Sequence, residues 1–334
     1  MLAFCFFSFE LFHFEQARFE QARFEHFRRA ALRVGVCLAL AAIFPWPAIA
    51  QDAAFQQPAE RFQQFFDNFA SNAGPMAPMF GKLSPEQLEK LEQVKITFAD
   101  ENQFGQRILD AFLQQLKQYK VAVAQQGKDV TYLRQLLKTL KPRMRHADRY
   151  KQLDVRVIDS ESTDAFSIPG GRLLVTRGLL ESATSEAAVV GVLAHELSHL
   201  DREHQLIPLK QSKLANQPLD FQDRMMWIAL MVRPNRPEQE SEADGDATRW
   251  MMESGYDPRE LAKLLNSWDQ QQNQVAPWLQ FVPGFVKSHP DAGKRVQDVL
   301  GVAAKLDGNF PQAKYVGVEN LRSRTSRSVR AFPQ

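Results

Sequence analysis

Two histidines and a glutamate lie within five consecutive residues, in the stretch His195-Glu196-Leu197-Ser198-His199. Histidines four positions apart lie on one face of a helix, so both imidazoles can bind one metal ion. Glu196 is rotated from His195 by about 100°, which lets its carboxylate reach a water molecule on the open side of that ion. Two ligands and a general base in this arrangement are typical of enzymes that activate water for hydrolysis.

The sequence around this motif predicts a buried helix. Thr184, Ser185 and Glu186 form a plausible helix start, and an apolar run follows from Ala187 to Leu200. Polar side chains are costly inside so apolar a helix unless each of them has a partner. The simpler alternative is a pair of core histidines satisfied by hydrogen bonds, which the five-residue pattern alone does not exclude.

A catalytic zinc ion usually takes three protein ligands, so a third ligand has to come from another segment. The three-histidine set of metzincins would need His at position 205, six residues after His199, and that residue is Gln. Glu240 and Glu242 open a predicted helix downstream, and both are candidates. Asp244 lies one turn after Glu240, where its carboxylate can orient a ligand histidine. The alternative is an acidic helix start stabilised by the helix dipole.

The first 50 residues are predicted to be removed from the working protein. A basic stretch ends at Arg33, an apolar stretch runs from Val34 to Phe44, and Ala48-Ile49-Ala50 is a small-x-small cleavage site. This order predicts a secretory signal peptide cleaved after Ala50, and hence export across the inner membrane to the periplasm. Upstream of it the pentapeptide Phe-Glu-Gln-Ala-Arg is repeated. We interpret residues 1–27 as an over-extended start, with a short amphipathic Phe-rich helix as the alternative, and exclude them from the fold.

Composition narrows the chemistry of the remaining chain. Cys5 and Cys37 are the only cysteines and lie in the removed segment. Disulfides, cysteine catalysis and thiolate zinc sites are therefore not expected. Residues 1–50 also hold five of the 41 Lys and Arg and four of the 39 Asp and Glu, so the rest carries a net charge of +1. That balance gives no indication of nucleic-acid binding.

Four parts are predicted along the chain. Residues 1–50 are the N-terminal extension and signal peptide, and residues 51–81 are a Phe-, Gln- and Pro-rich linker or tethering helix. Residues 82–310 are the metalloprotease domain, and residues 311–334 are a basic C-terminal tail. Four arginines in the tail, Arg322, Arg324, Arg327 and Arg330, are expected to be solvated. Peripheral contact with anionic lipid is the alternative.

Alternating apolar residues predict strands at 154–159 and, after a Pro-Gly-Gly turn, at 172–176. We expect an α+β fold that is mainly helical, with a small sheet whose edge strand lines the active-site groove. Extended or unfolded polypeptide is expected to pair with Arg172, Leu173, Leu174, Val175 and Thr176. The apolar run Met225–Val232 fits a core helix or a flap over the site equally well, and it is too short to span a membrane.

Five motifs in order make the chain resemble metallopeptidase family forty-eight, the HtpX-like, Oma-like and prenyl-protease-like gluzincins. The resemblance covers roughly residues 154–300 and is closest in type to soluble bacterial envelope members such as BepA and LoiP. The motifs are Ala165-Phe166-Ser167-Ile168-Pro169-Gly170-Gly171, the HExxH helix, Glu240-x-Glu-Ala-Asp244, Gly255-Tyr256-Asp257-Pro258, and Ser288-His289-Pro290 followed by Arg295. The segment after Leu300 is too short for a tetratricopeptide array, so we expect none.

The resemblance implies a zincin-like fold and one Zn2+ per chain. It implies His195, His199 and Glu240 as the ligands, with Asp244 behind a ligand histidine and Glu196 as the general base. His289 and Arg295 are then candidates for stabilising the oxyanion. His289 could instead be a latch over the metal or a helix cap. His204 is expected to be structural and to face away from the site.

The function implied by the resemblance is that of a zinc metalloendopeptidase acting on unfolded or misassembled envelope proteins. One alternative is a latent, chaperone-like outer-envelope assembly factor whose zinc site is held closed by a histidine latch. Another is a scaffold with a structural zinc ion. The sequence leaves the natural substrate, the partner proteins and the oligomeric state open.

Overall fold

The computed structural model describes residues 83–221, 224–231, 233, 235–270 and 292–334. The predicted signal peptide, the predicted linker and His289 lie outside the described residues. Helices dominate the described part, and it contains one small sheet. The predicted α+β class is therefore confirmed.

The described residues form eleven α-helices and four β-strands. The helices are α1 Pro85–Glu92, α2 Phe98–Gln118, α3 Lys128–Leu140, α4 Arg177–Ser182, α5 Glu186–Asp201, α6 Ile207–Ala215, α7 Arg224–Met231, α8 Pro237–Glu253, α9 Arg259–Gln270, α10 Ala292–Leu306 and α11 Val318–Ser323. The strands are β1 Val123–Ala124, β2 Asp154–Ile158, β3 Ala165–Ile168 and β4 Arg172–Thr176.

The sheet has the strand order β1-β2-β4-β3. β4 pairs in parallel with β2 on one side and antiparallel with β3 on the other. Both of its backbone edges are therefore occupied, and the prediction that substrate pairs with Arg172–Thr176 is wrong. It failed because an alternating pattern identifies a strand but not its place in the sheet. β3 is the edge strand next to β4.

Alternate residues of the sheet enter two separate hydrophobic cores, one on each face. Val155, Val157, Leu173 and Val175 pack with the core that contains α3, α5, α8 and α9. Residues of opposite parity pack with α2 and α7, and these are Ile158, Phe166, Ile168 and Leu174. Helices thus cover both faces of the sheet, which explains why β3 and β4 are buried along their whole length.

α5 is the central helix, and each of its residues is buried. It begins where the sequence predicts, because the Ser185 side chain accepts a hydrogen bond from the Ala188 N–H at 3.2 Å. α8 packs along α5. Gly191 permits close packing with α8 and α9, since a Cβ at this position would lie 3.0 Å from Met251 Sδ and 2.8 Å from Leu261 Cβ.

The apolar run near residue 228 forms α7, which packs against α2 as a core helix. Trp227, Ile228, Ala229 and Leu230 are all buried. Within the described part of the chain, no helix combines the length and apolar character needed to cross a bilayer.

The C-terminal segment does not behave as the solvated tail that its arginines predict. The Arg324 Nε donates to Asp129 at 2.9 Å, which ties the segment to α3. The Arg327 guanidinium lies 4.3 Å from the ring centre of Tyr315 and 5.5 Å from that of Tyr256. The prediction is wrong for these two arginines because aromatic faces and a carboxylate are available on the domain. Arg322 and Arg330 remain exposed.

Candidate metal centre and active site

Two imidazoles and one carboxylate converge at the contact between α5 and α8. His195, His199 and Glu240 are all buried, and their ligand atoms lie within 4.8 Å of one another. The two Nε2 atoms are 2.9 Å apart. The Glu240 carboxylate lies 3.5 Å from His195 Nε2 and 3.4 Å from His199 Nε2.

Asp244 and Arg295 lie behind His195. One Asp244 oxygen is 2.8 Å from His195 Nδ1, and the same carboxylate accepts two hydrogen bonds from Arg295 at 2.8 and 2.9 Å. Burial opposes ionisation of Asp244, but Arg295 and His195 outweigh it and hold its pKa below the usual range. Burial and Arg295 act to lower the pKa of His195, yet Asp244 and Glu240 raise it to about 9. The negative charges of Asp244 and Glu240 therefore outweigh burial and the positive charge of Arg295 in setting the pKa of His195.

His204 lies behind His199. The two Nδ1 atoms are 2.9 Å apart, and His204 Nε2 lies 3.1 Å from the Glu242 carboxylate. The expectation that His204 faces away is wrong, because α5 ends at Asp201 and Glu203 adopts a left-handed backbone with a φ of 58°. Glu242 lies outside the converging donors and contacts His204 and Arg202.

These contacts assign the protons on both imidazoles. Asp244 accepts from His195 Nδ1–H, and the lone pair of His204 Nδ1 accepts from His199 Nδ1–H, since His204 Nε2–H donates to Glu242. Burial lowers the pKa of His204 despite Glu242, which is consistent with this neutral tautomer. Both ligand Nε2 atoms then face the Glu240 carboxylate, and the raised pKa of His195 means that a metal ion binding there must displace a proton from its Nε2.

The donor set fits a zinc ion. Ligand atoms about 2.0–2.1 Å from a tetrahedral centre lie about 3.3–3.4 Å from each other. The separations of 3.4 and 3.5 Å from the Glu240 carboxylate agree with this value, and the 2.9 Å between the nitrogens is somewhat shorter. Imidazole and carboxylate donors are those that zinc takes where thiolates are absent.

The Glu196 carboxylate reaches the edge strand. Its Oε2 accepts from the Ser167 N–H at 2.8 Å and from the Ser167 hydroxyl at 2.7 Å. The Gln205 amide donates to the Ser167 carbonyl at 2.8 Å. The Ser167 backbone therefore points away from β4 and is held by two side chains near the site.

Arg295 is buried within the site and not at its opening. Besides Asp244, it lies 3.5 Å from Glu240 and 3.2 Å from His195 Nδ1. Burial opposes its charge, but Asp244 and Glu240 more than compensate and raise its pKa. Arg295 therefore positions the acidic groups around His195. His289, the other predicted oxyanion stabiliser, lies outside the described residues.

A second buried contact joins α5 to α8 one turn further along. Asp246 accepts from the Ser198 hydroxyl at 3.0 Å and from Arg202 Nε at 2.5 Å. Arg145 adds a contact at 3.2 Å. The two helices that carry the three converging donors are thus fixed to each other by charge-assisted hydrogen bonds.

Comparison with known proteins places this site in a family. The family model described as "Peptidase family M48" matches residues 129–303, which include the three converging donors, Glu196 and Arg295. The chain belongs to peptidase family M48. Members of this family are metallopeptidases, in agreement with the resemblance that the five motifs indicate. M48 metallopeptidases are zinc-dependent, and the converging donors are the described residues that can hold the ion.

Two curated relatives in this family are similar to part of the chain. The mitochondrial metalloendopeptidase OMA1 of Schizosaccharomyces pombe is 26% identical over 156 residues, which cover 44% of this chain and 45% of the relative. The Beta-barrel assembly-enhancing protease of Escherichia coli O157:H7 is 24% identical over 172 residues, which cover 45% of this chain and 34% of the relative. The chain thus spans less than half the length of the M48 relatives it matches.

Three residues near the site escape sequence reasoning. Ser167 lies in the motif Ala165–Gly171, but only its position on the edge strand shows that it hydrogen-bonds to Glu196. Gln205 excludes a metzincin ligand set, but its contact with Ser167 depends on the turn after α5 and cannot be read from the sequence. Arg233 carries no recognisable signal in the sequence, and only the fold shows that it lines a cavity beside Glu196.

Proposed function

We propose that the chain is a zinc metalloendopeptidase that hydrolyses extended segments of unfolded or misassembled envelope proteins. The observation that carries this proposal is the convergence of three buried donors beside a glutamate that reaches the edge of the sheet. Family membership supports the peptidase activity. The names of the two relatives, a mitochondrial metalloendopeptidase and a Beta-barrel assembly-enhancing protease, support proteolysis as the activity.

The residues of the chain divide the chemistry between them. A zinc ion held by His195, His199 and Glu240 would supply a Lewis acid that polarises the scissile carbonyl and acidifies water. Glu196 takes the proton from the attacking water and passes it to the leaving amine. Asp244 keeps the proton of His195 on Nδ1, away from the ligand position.

The substrate is proposed to pair with β3. This strand is the edge next to β4, and the backbone of Ser167 points outward from the sheet. Pairing with backbone groups favours extended chains and requires little sequence preference. Folded domains cannot present such a strand, so the geometry suits the removal of unfolded protein.

The Glu196→Gln variant tests the catalytic assignment. It should retain zinc, measured by mass spectrometry of the metal, and should lose cleavage of casein, because the amide cannot accept the proton. Retained cleavage would contradict the assignment. Loss of both zinc and secondary structure would show that Glu196 is required for folding, in which case Glu196→Asp provides the comparison.

We also propose that the protein is exported to the periplasm after cleavage behind Ala50. The order of basic, apolar and small residues in the first 50 positions supports this. N-terminal sequencing of protein recovered from the periplasm should begin at Gln51. Recovery from the cytoplasm with residue 1 intact would contradict the proposal.

A latent form of the same enzyme is the second candidate. It is favoured by the contact in which the Gln205 amide binds the Ser167 carbonyl, a group that a substrate strand would need. If the site is held closed, Gln205→Ala or His289→Ala should increase casein cleavage several-fold. Decreased cleavage in the His289 variant would instead assign that residue to catalysis.

A further inference from the structure

A small cavity of about 30 Å³ lies directly beside Glu196. The edge-strand residues Phe166 and Ser167 form one wall, and Leu230 at the end of α7 forms another. Arg233, in the connection between α7 and α8, also lines the cavity. The cavity is therefore continuous with the catalytic base and is bounded by both apolar and charged groups.

Arg233 brings a positive charge to this cavity, and the acidic group among its described lining residues is the catalytic Glu196. Among the residues that the structure describes, no Asp or Glu side chain forms an ion pair with Arg233. The nearby Arg236 disfavours the charge of Arg233, and Asn235 and Gln239, which line the cavity beside it, are neutral. Burial lowers the pKa of Arg233 to about 10, and repulsion by Arg236 contributes. The guanidinium still carries its charge at neutral pH.

The position of Glu196 determines which part of a substrate enters the cavity. A general base that returns its proton to the leaving amine must lie within hydrogen-bond reach of that nitrogen, about 2.6–3.2 Å. The amine belongs to the residue that follows the scissile bond. The cavity beside Glu196 therefore receives the side chain of that residue or its terminal carboxyl group.

We propose that this cavity binds a substrate carboxylate on the residue that follows the scissile bond, and that Arg233 selects for it. The inference rests on the proposed peptidase function and gives its specificity. The carboxylate has two sources, which are the side chain of Asp or Glu and the C-terminus of a polypeptide. In either case a planar guanidinium recognises the two carboxylate oxygens together.

The physical reason for selectivity is the partly buried charge. A carboxylate supplies Arg233 with the counter-charge that the described residues do not provide, whereas an amide of the same shape does not. Phe166 and Leu230 line the same cavity and offer apolar surface against which the methylene groups of Glu can pack. We expect kcat/KM to favour Glu over Gln at this position by about tenfold or more.

The test uses peptides built around one casein cleavage site, which is first mapped by mass spectrometry with the full chain. Glu, Gln, Asp, Asn and Lys are placed in turn after the scissile bond, and each peptide is made with internal context and with a free C-terminus at that residue. For the unmodified protein, kcat/KM should be highest for the peptides that carry a carboxylate. Preference confined to the free C-terminus would assign the carboxylate to the chain terminus, and preference for internal Glu would assign it to the side chain.

Variants of Arg233 test whether its guanidinium causes the preference for a carboxylate after the scissile bond. Arg233→Gln should reduce the ratio of kcat/KM for Glu and Gln peptides to about one, and Arg233→Lys should restore part of it. Arg233→Glu should reverse the preference toward Lys. The matched control is Arg322→Gln, which removes an exposed guanidinium in α11 and should leave the ratio unchanged. Circular dichroism confirms that each variant is folded.

Binding gives a readout that does not depend on turnover. In the Glu196→Gln background, fluorescently labelled Glu peptide should bind more tightly than Gln peptide, and Arg233→Gln should remove the difference. Equal kcat/KM for Glu and Gln peptides, with cleavage intact, would overturn the role of Arg233 and leave the peptidase function standing. Failure of the unmodified zinc-loaded protein to cleave any peptide would overturn the proposed function instead.

Discussion

The Nδ1 atoms of His199 and His204 lie 2.9 Å apart, so one ligand histidine is oriented by another histidine. His204 is in turn oriented by Glu242, which lies 3.1 Å from its Nε2. His195 has a direct carboxylate partner in Asp244. The two ligand imidazoles are therefore held by different means, a carboxylate on one side and a histidine with a carboxylate behind it on the other.

We predict that His204→Phe weakens zinc binding by about 10–100-fold, the usual effect of removing the group that orients a ligand histidine. Phenylalanine keeps an aromatic ring but cannot accept the proton on His199 Nδ1. Competition with a zinc chelator measures the affinity. His146→Gln is the control, because the His146 side chain is 60% exposed and its contact is with Asp201 and not with a ligand residue. Unchanged affinity in the His204 variant would show that His199 needs no such partner.

Glu240→Ala should lose most of the bound zinc, because two imidazoles alone make an incomplete site. Metal content after dialysis measures this loss. Glu238→Ala removes an exposed acid from the first turn of the same helix and should retain the metal. If the two variants lose stability alike and both keep zinc and peptide hydrolysis, Glu240 serves only the helix dipole and the ligand assignment is wrong.

Local patterns predict much of the fold around the site. The Ser185 helix start, the strand at 172–176 and the shared face of His195 and His199 depend on neighbouring residues, and each of these features occurs in the structure. Glu240 is different, because the choice between Glu240 and Glu242 depends on how two helices pack. The resemblance to a family, and not the spacing of the residues, favours Glu240 as the third ligand.

The predictions from the sequence fail where a contact depends on a turn or on residues far apart in the chain. Continuing α5 past its end directs His204 away from the site, whereas the left-handed turn at Glu203 returns the chain toward His199. The sequence points to β4 as the substrate strand and misses the edge position of β3, because strand order depends on pairing between distant segments. The tail arginines were expected in solvent because their partners, such as Tyr256 and Asp129, lie far away in sequence.

The C-terminal segment is expected to contribute to stability through Arg327. Its guanidinium stacks on Tyr315 and donates to the Gly255 carbonyl at 3.0 Å. Arg327→Ala should lower the free energy of unfolding by about 1–3 kcal/mol, measured by urea denaturation. Arg322→Ala, at a side chain that is 75% exposed, should change it by less than about 0.5 kcal/mol. Equal effects of the two substitutions would mean that the segment is held by its backbone alone.

Glu186 is fully buried at the start of α5 and should make stability depend on pH. Its Oε1 accepts from the Tyr256 hydroxyl at 2.7 Å and from the Arg327 N–H at 2.9 Å, but burial outweighs these bonds and raises its pKa above the ordinary 4.5. The native state therefore binds this proton more tightly than the unfolded state, and the contribution to stability falls as pH rises from 4.5 through the raised pKa. Glu186→Gln keeps an acceptor oxygen and cannot ionise, so its Tm relative to the unmodified protein should rise between pH 4.5 and pH 8. Glu319→Gln controls for the loss of one negative charge at the surface, and a Glu186→Gln difference that stays flat or falls with pH would contradict the raised pKa.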